Sequence, residues 1–145
     1  MEIWKEIKGY EGLYEVSNQG NIRSLKTGKL RKPKNNFGYL RINLCKNNVV
    51  KFHMVHRLVA ETFIENNDQN LTQVNHKNEN KQDNRVENLE WCDAKYNNNY
   101  GTKIIRQVES QIKTGYLNPD MIGLDKKTYN RLYMRKYRER KRLGL

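Results

Sequence analysis

One histidine and three asparagines in the middle of the chain have the residue types and spacing of a metal-dependent hydrolytic site. His76 directly follows Asn75, Asn88 comes 12 residues after the histidine, and Asn97 another 9 residues later. An imidazole can take a proton from water, and amide oxygens can serve as ligands for a hard divalent cation. The pattern suits hydrolysis of a phosphodiester, with His76 as general base and Asn75 and Asn97 as oxygen ligands. Asn88 could then tie the intervening loop together.

The distribution of charge is consistent with a polyanionic substrate. The chain of 145 residues has a formal net charge of +12. Residues 1–55 contribute +7, residues 56–99 contribute −3 and residues 100–145 contribute +8. Basic flanks hold phosphates by charge and counterion release, whereas an acidic centre tolerates a cation. The alternative interpretation is a solvated basic protein that binds any polyanion.

Composition predicts a small core and an intracellular location. Only 36% of the residues are hydrophobic, which predicts a small core divided among sub-modules. Cys45 and Cys92 lack the spacing of a zinc site and are expected to be reduced and buried. No apolar run approaches the roughly 20 residues of a membrane span, and the N-terminus does not resemble a signal peptide. We therefore expect a cytoplasmic protein with no membrane partner.

The first half of the chain is predicted to form strands. Residues 3–24 alternate apolar and polar around glycines and should form two or three short strands. The candidate inward positions are Tyr10, Tyr14, Val16 and Ile22. A basic run follows, which we expect to be a loop that contacts phosphate. Strands at 39–45 and 49–54 are then joined by a two-residue turn at Asn47-Asn48.

The second half contains the elements that must position His76. At Val55 the spacing of apolar residues changes from alternation to the periodicity of a helix, which predicts a helix that begins there and ends near Glu65. A strand at 73–77 carries His76, a polar loop follows, and a return strand covers 89–92, which places His76 and Asn88 at opposite ends of one hairpin. Asp93 is a plausible N-cap for a helix that begins at Ala94.

Two segments resemble parts of one known family, the HNH homing endonucleases. Residues 55–97 resemble the HNH nuclease module, in the variant with Asn at the last motif position. The run from Trp4 to Ser24, WKEIKGYEGLYEVSNQGNIRS, resembles the NUMOD4 motif that precedes this module in phage and intron-encoded members. Because the two segments occur in the family's order, each strengthens the other.

The resemblance implies a ββα-metal unit and a role for each motif residue. His76 matches the general base, Asn97 matches a ligand of a divalent metal (Mg²⁺ or Mn²⁺), and Asn88 matches the residue that bonds to the loop backbone and positions the histidine. Asn75 stands where many members have an aspartate, and a neutral amide is a weaker ligand than a carboxylate. Asp83, Glu87, Glu90 and Asp93 are the nearby acids that could supply a carboxylate. His56 matches a histidine at the start of the preceding helix, with packing or a phosphate contact as its expected role.

Together these patterns predict an α+β protein of three parts. Residues 1–52 form a β-rich NUMOD4-like module that contacts DNA, residues 53–100 form the HNH core, and residues 101–145 form a basic helical extension. The basic side chains expected on DNA are Arg23, Lys26, Arg31, Lys32, Lys34, Arg131, Arg135 and Arg138.

The function that we expect is hydrolysis of double-stranded DNA by a monomer, by nicking or by double-strand cleavage. A catalytically impaired DNA-binding protein that keeps the fold is the first alternative, and Asn75 is the residue that favours it. A structural or RNA-binding basic protein ranks last, because the chain lacks the stacking signatures of RNA modules.

Overall fold

The structure, a computed structural model, describes residues 1–101 together with Ser110 and Arg142. Residues 1–97 form one compact unit built from three small antiparallel sheets and the helices packed on them. The α+β class is confirmed for this part of the chain. The predicted basic extension lies outside the described residues, apart from Gly101 and the two isolated positions.

The first sheet has four strands in the order β1-β2-β3-β4. Their bounds are β1 Trp4–Glu6, β2 Tyr14–Ser17, β3 Ile22–Ser24 and β4 Leu30–Arg31. Of the predicted inward positions, Tyr10, Val16 and Ile22 are buried and Tyr14 is half-buried.

The second sheet has three strands in the order β5-β6-β7. Its strands are β5 Lys34–Asn36, β6 Tyr39–Lys46 and β7 Val49–Met54. The turn between β6 and β7 has Asn47 and Asn48 at φ of 51° and 61°, the left-handed backbone expected of a two-residue hairpin. The prediction that the basic run is only a loop was wrong in part, because Arg31 lies in β4 and Lys34 in β5.

The remaining elements form the unit that carries His76. They are α1 Val55–Phe63, β8 Gln73–His76, a 3₁₀ turn Val86–Asn88, β9 Leu89–Cys92 and α2 Ala94–Asn99. The two strands pair as a third sheet, with His76 opposite Leu89. Asp93 caps α2 as predicted, since its carboxylate accepts a hydrogen bond from the Tyr96 amide at 2.6 Å.

One hydrophobic core joins all three sheets around α1. The sheets, the helix and the loop between β1 and β2 supply its buried side chains, which are Ile7, Tyr10, Val16, Ile22, Ile42, Leu44, Val55, Leu58, Val59, Ala60, Val74 and Leu89. The predicted boundary between residues 52 and 53 therefore separates two sequence modules that share one interior.

The two cysteines differ from expectation in one respect. Both are free, but Cys45 is exposed whereas Cys92 is buried. Cys45 follows Leu44, which is fully buried, and successive side chains of a strand point to opposite faces. Cys45 therefore lies on the outward face of the second sheet, and its predicted burial was wrong. Within residues 1–101, no helix is long and apolar enough to cross a membrane.

Candidate active site

The imidazole of His76 is buried and held by one side-chain hydrogen bond. His76 is only 5% exposed, and its Nε2 lies 3.2 Å from Oδ1 of Asn84. The Asn84 amide is oriented by its own Nδ2, which donates to the Gln82 carbonyl at 3.2 Å. Because an amide oxygen can only accept, Nε2 of His76 must carry the proton. The lone pair of His76 is thus on Nδ1, which makes no hydrogen bond with the described part of the chain.

Two rings, those of His56 in α1 and Tyr39 in β6, lie beside the His76 imidazole. The His56 ring centroid lies 5.1 Å from that of His76, and the Tyr39 ring lies 5.1 Å from His56 and 6.0 Å from His76. The ammonium of Lys81 sits 4.5 Å from the Tyr39 ring centroid. His56 is buried, and its Nδ1 has no partner among the described residues. His56 therefore packs directly against the candidate base.

Burial keeps both histidines neutral. It lowers the pKa of His56 to about 3, with smaller contributions from His76 and Arg57. Burial also lowers the pKa of His76 below its usual range, although Asn84 and Asp83 act in the opposite direction. A neutral imidazole with a free lone pair can accept a proton.

Asn88 anchors the loop that follows His76. Its Oδ1 accepts a hydrogen bond from the Asn78 amide at 3.0 Å, and its Nδ2 donates to the Asp83 carbonyl at 2.7 Å. Its own carbonyl accepts from the Lys77 amide at 2.8 Å. These are the bonds expected of a residue that ties the loop together. The expected placement at opposite ends of the hairpin was wrong, because Asn88 directly precedes the strand partner of His76 and both residues lie at the loop end.

Each candidate metal ligand is hydrogen-bonded to one neighbouring polar side chain. Nδ2 of Asn75 donates to Oε1 of Glu90 at 2.7 Å, and Nδ2 of Asn97 donates to Oε1 of Gln73 at 2.6 Å. Gln73 and Asn75 share one face of β8, whereas His76 is on the alternate face. In both asparagines the amide nitrogen is engaged, and the Oδ1 atom accepts no hydrogen bond from the described residues.

Only one of the four nearby acids lies beside Asn75. Asp83 is bound to Arg85 at 2.8 Å, Glu87 is paired with the same guanidinium, and Asp93 caps α2. Glu90 remains, and it also accepts a hydrogen bond from the Tyr96 hydroxyl at 3.2 Å.

The candidate ligands for a hard divalent cation include only one carboxylate. In the part of the chain that the structure describes, no group of three or more His, Cys, Asp or Glu side chains could hold a metal ion. The available atoms are two amide oxygens and the Glu90 carboxylate, which are oxygen donors of the kind that Mg²⁺ accepts together with water and phosphate.

The basic residues predicted to contact DNA fall into three groups. Arg23 is already engaged, because its Nε lies 2.6 Å from Glu15 and its guanidinium stacks 4.3 Å from the Trp4 ring. Exposed cations without an ion-pair partner among the described residues are Lys26, Arg31, Lys32 and Lys34. Arg131, Arg135 and Arg138 lie outside the described residues.

Sequence reasoning missed Asn84, Tyr39 and Gln73. Asn84 is one of many asparagines in this chain, and nothing in its spacing separates it from the others. The β8 alternation could have indicated Gln73, since it lies two residues before Asn75 and on the same face.

Comparisons with known proteins agree with the arrangement of the chain. Residues 2–45 match the family model of the NUMOD4 motif, and residues 53–99 match that of the HNH endonuclease. The chain is 45% identical over 118 residues to the DNA endonuclease I-HmuI of Bacillus phage SP01, which covers 79% of this chain and 60% of the relative. It is 47% identical over 97 residues to the uncharacterized HNH endonuclease L245 of Acanthamoeba polyphaga mimivirus, covering 67% of this chain and 29% of the relative.

A solved structure shows the same fold. It describes DNA binding and cleavage by the HNH homing endonuclease I-HmuI, and it matches with a TM-score of 0.60 at 41% identity over 83% of this chain and 64% of that chain. The present chain thus spans less than two thirds of the length of the relatives that it matches.

Proposed function

Because this chain belongs to the HNH homing endonuclease family, with a NUMOD4 motif ahead of its HNH module, we propose that it is a metal-dependent DNA endonuclease. His76 is the general base that activates water for attack on a phosphodiester. The observation that carries the proposal is the setting of its imidazole, which is buried and bonded through Nε2 to Oδ1 of Asn84, so that Nδ1 can accept a proton from water.

The residues that would hold the metal are Asn75 and Asn97. Their amide nitrogens donate to Glu90 and Gln73, so each Oδ1 remains available as an oxygen ligand. The Glu90 carboxylate adds negative charge next to Asn75, one of the two neutral ligands. HNH endonucleases generally use a divalent metal, and we propose Mg²⁺ or Mn²⁺, which when bound would polarise the scissile phosphate and stabilise the leaving oxygen.

Double-stranded DNA is the proposed substrate. I-HmuI is a DNA endonuclease by name, and its solved structure describes DNA binding and cleavage. Lys26, Arg31, Lys32 and Lys34 are exposed cations without an ion-pair partner among the described residues. The basic C-terminal segment adds charge of the same sign. With one HNH unit, a monomer would nick a single strand.

The second candidate is a DNA-binding protein without catalysis, and the observation that favours it is Asn75 in place of a carboxylate. The two candidates differ in whether bound DNA is cut. Supercoiled plasmid incubated with the protein and Mg²⁺ or Mn²⁺ separates them, because an endonuclease converts it to open circles or linear DNA. Binding without conversion would select the second candidate.

The variant that tests the base is His76→Ala. Loss of a general base costs about 10²–10⁴-fold in rate, so single-turnover cleavage should fall by that factor while the Kd for DNA stays within experimental error. His53→Ala is a matched control, since this histidine contacts Tyr10 and none of the candidate site residues. Near-normal cleavage by the His76 variant would contradict the assignment.

A further inference from the structure

The N-terminal motif contacts the active-site loop through the turn between β2 and β3. The Val86 amide donates to the Asn18 carbonyl at 2.9 Å. Two residues later along the turn, Gly20 lies directly against Asn84. A Cβ placed on Gly20 would be 2.9 Å from the Asn84 Cβ and 3.2 Å from the Asn84 carbonyl oxygen. The backbone of Gly20 also has a φ of 84°, which favours glycine.

The residue that Gly20 contacts is the one that holds the catalytic imidazole. Asn84 is 3% exposed, and its Oδ1 accepts the hydrogen bond from Nε2 of His76. A displacement of the Asn84 backbone would therefore move the acceptor away from the imidazole. Two successive contacts therefore link three residues: Gly20 touches Asn84, and Asn84 is bonded to His76.

We propose that the NUMOD4 motif positions the general base of the nuclease site, with Gly20 as the contact point and Asn84 as the positioning residue. The inference rests on the proposed function and adds a role for the motif besides any contact with DNA. The Gly20 backbone limits where Asn84 can lie. Asn84 in turn keeps the proton on Nε2 of His76 and leaves the lone pair on Nδ1. Without this acceptor, the imidazole loses the bond that fixes both its tautomer and its ring orientation.

The chain offers a matched pair of glycines to test the contact. Gly12 has a φ of 71°, close to that of Gly20, but a Cβ at Gly12 would meet nothing within 4 Å. Gly12→Ala and Gly20→Ala thus impose similar backbone strain, and only the second displaces Asn84. We expect Gly20→Ala to lower the single-turnover cleavage rate by about 10-fold or more relative to Gly12→Ala, with the Kd for DNA changed less than 2-fold (about 0.4 kcal/mol).

Variants of Asn84 test the same link without strain in the turn. Asn84→Ala removes the acceptor and should lower the cleavage rate as Gly20→Ala does. Asn84→Asp keeps an oxygen beside Nε2 and should restore most of the rate. The double variant Gly20→Ala/Asn84→Ala should be no slower than Asn84→Ala alone, because both changes remove the same bond.

Nitrogen-15 chemical shifts of the His76 ring report the tautomer independently of cleavage. The wild type and Gly12→Ala should show a protonated Nε2 and an unprotonated Nδ1, whereas Gly20→Ala and Asn84→Ala should show a mixture. Equal rates and identical ring shifts for the two glycine variants would overturn the proposal. If the wild type cut no DNA, the proposed function would fail, yet the ring shifts would still decide whether the turn sets the tautomer. If Gly20→Ala failed to fold, the Asn84 variants would decide it.

Discussion

Replacement of Asn88 by alanine should destabilise the fold far more than replacement of an asparagine that makes the same kind of bonds at the surface. Asn88 is 6% exposed, and its side chain satisfies the Asn78 amide and the Asp83 carbonyl. Leaving a buried polar group unsatisfied costs about 1–3 kcal/mol. Two such groups, both in a half-buried loop, give an expected loss of about 2–4 kcal/mol in the free energy of unfolding.

The control is Asn66, which uses its side chain in the same way in an exposed loop. Its Nδ2 donates to the Leu71 carbonyl at 2.9 Å, and its Oδ1 accepts from the Asp68 amide at 3.2 Å. Water can replace both bonds, so Asn66→Ala should cost less than about 1 kcal/mol.

Urea unfolding followed by circular dichroism, with linear extrapolation to water, measures both losses. Equal losses for the two variants would refute the reasoning, because they would mean that burial of the Asn88 bonds contributes nothing. A large loss for Asn88→Ala with unchanged cleavage at low temperature would show that the loop anchor serves stability alone.

Three further substitutions are expected to change stability or metal dependence in different directions. Phe37 is 91% exposed at a φ of 51°, so Phe37→Asn should raise the free energy of unfolding by about 0.5–1 kcal/mol, and a lower melting temperature would contradict this. The Arg85 side chain lowers the pKa of Asp83 from 3.8 to about 2. The stability that results is complete above the pKa of Asp83 in the unfolded state and is lost as pH falls through its pKa in the folded state. Between pH 4 and pH 2, the free energy of unfolding of Asp83→Asn should therefore fall by about 1–2 kcal/mol less than that of the wild type. Equal losses would exclude the ion pair as the cause of the pH dependence. Asn75→Asp should lower the Mg²⁺ concentration for half-maximal cleavage and, without metal, lower the melting temperature because of repulsion by Glu90; an unchanged titration would place the ligands elsewhere.

Periodicity predicted most of the elements that carry the site. The alternation before Met54 and the helical spacing from Val55 are strong local signals, and Asp93 has a local capping function. These elements were found with bounds accurate to one or two residues. The short strands β4 and β5 were missed, because pairing of two or three residues depends on a distant backbone partner and leaves little pattern in the sequence.

The side-chain network around His76 was less accessible to sequence reasoning. The motif singles out His76, but its tautomer depends on Asn84 and on the orientation of that amide by Gln82. The error over the hairpin arose because the motif spacing gives the length of the loop but not the strand register. The position of Glu90 beside Asn75 also follows from register, which no local pattern encodes.

The shared interior has a consequence for how such proteins can be recombined. Residues 53–99 taken alone would leave the core around α1 without the buried Ile7, Val16 and Ile22 side chains. A chimera that joins this HNH segment to an unrelated N-terminal partner would have to replace those aliphatic groups and provide a turn that fits against Asn84. The two motifs should therefore be exchanged together, on a segment that includes the compact unit of residues 1–97 and the end of α2 at Asn99, and exchange at the junction between the motifs should fail.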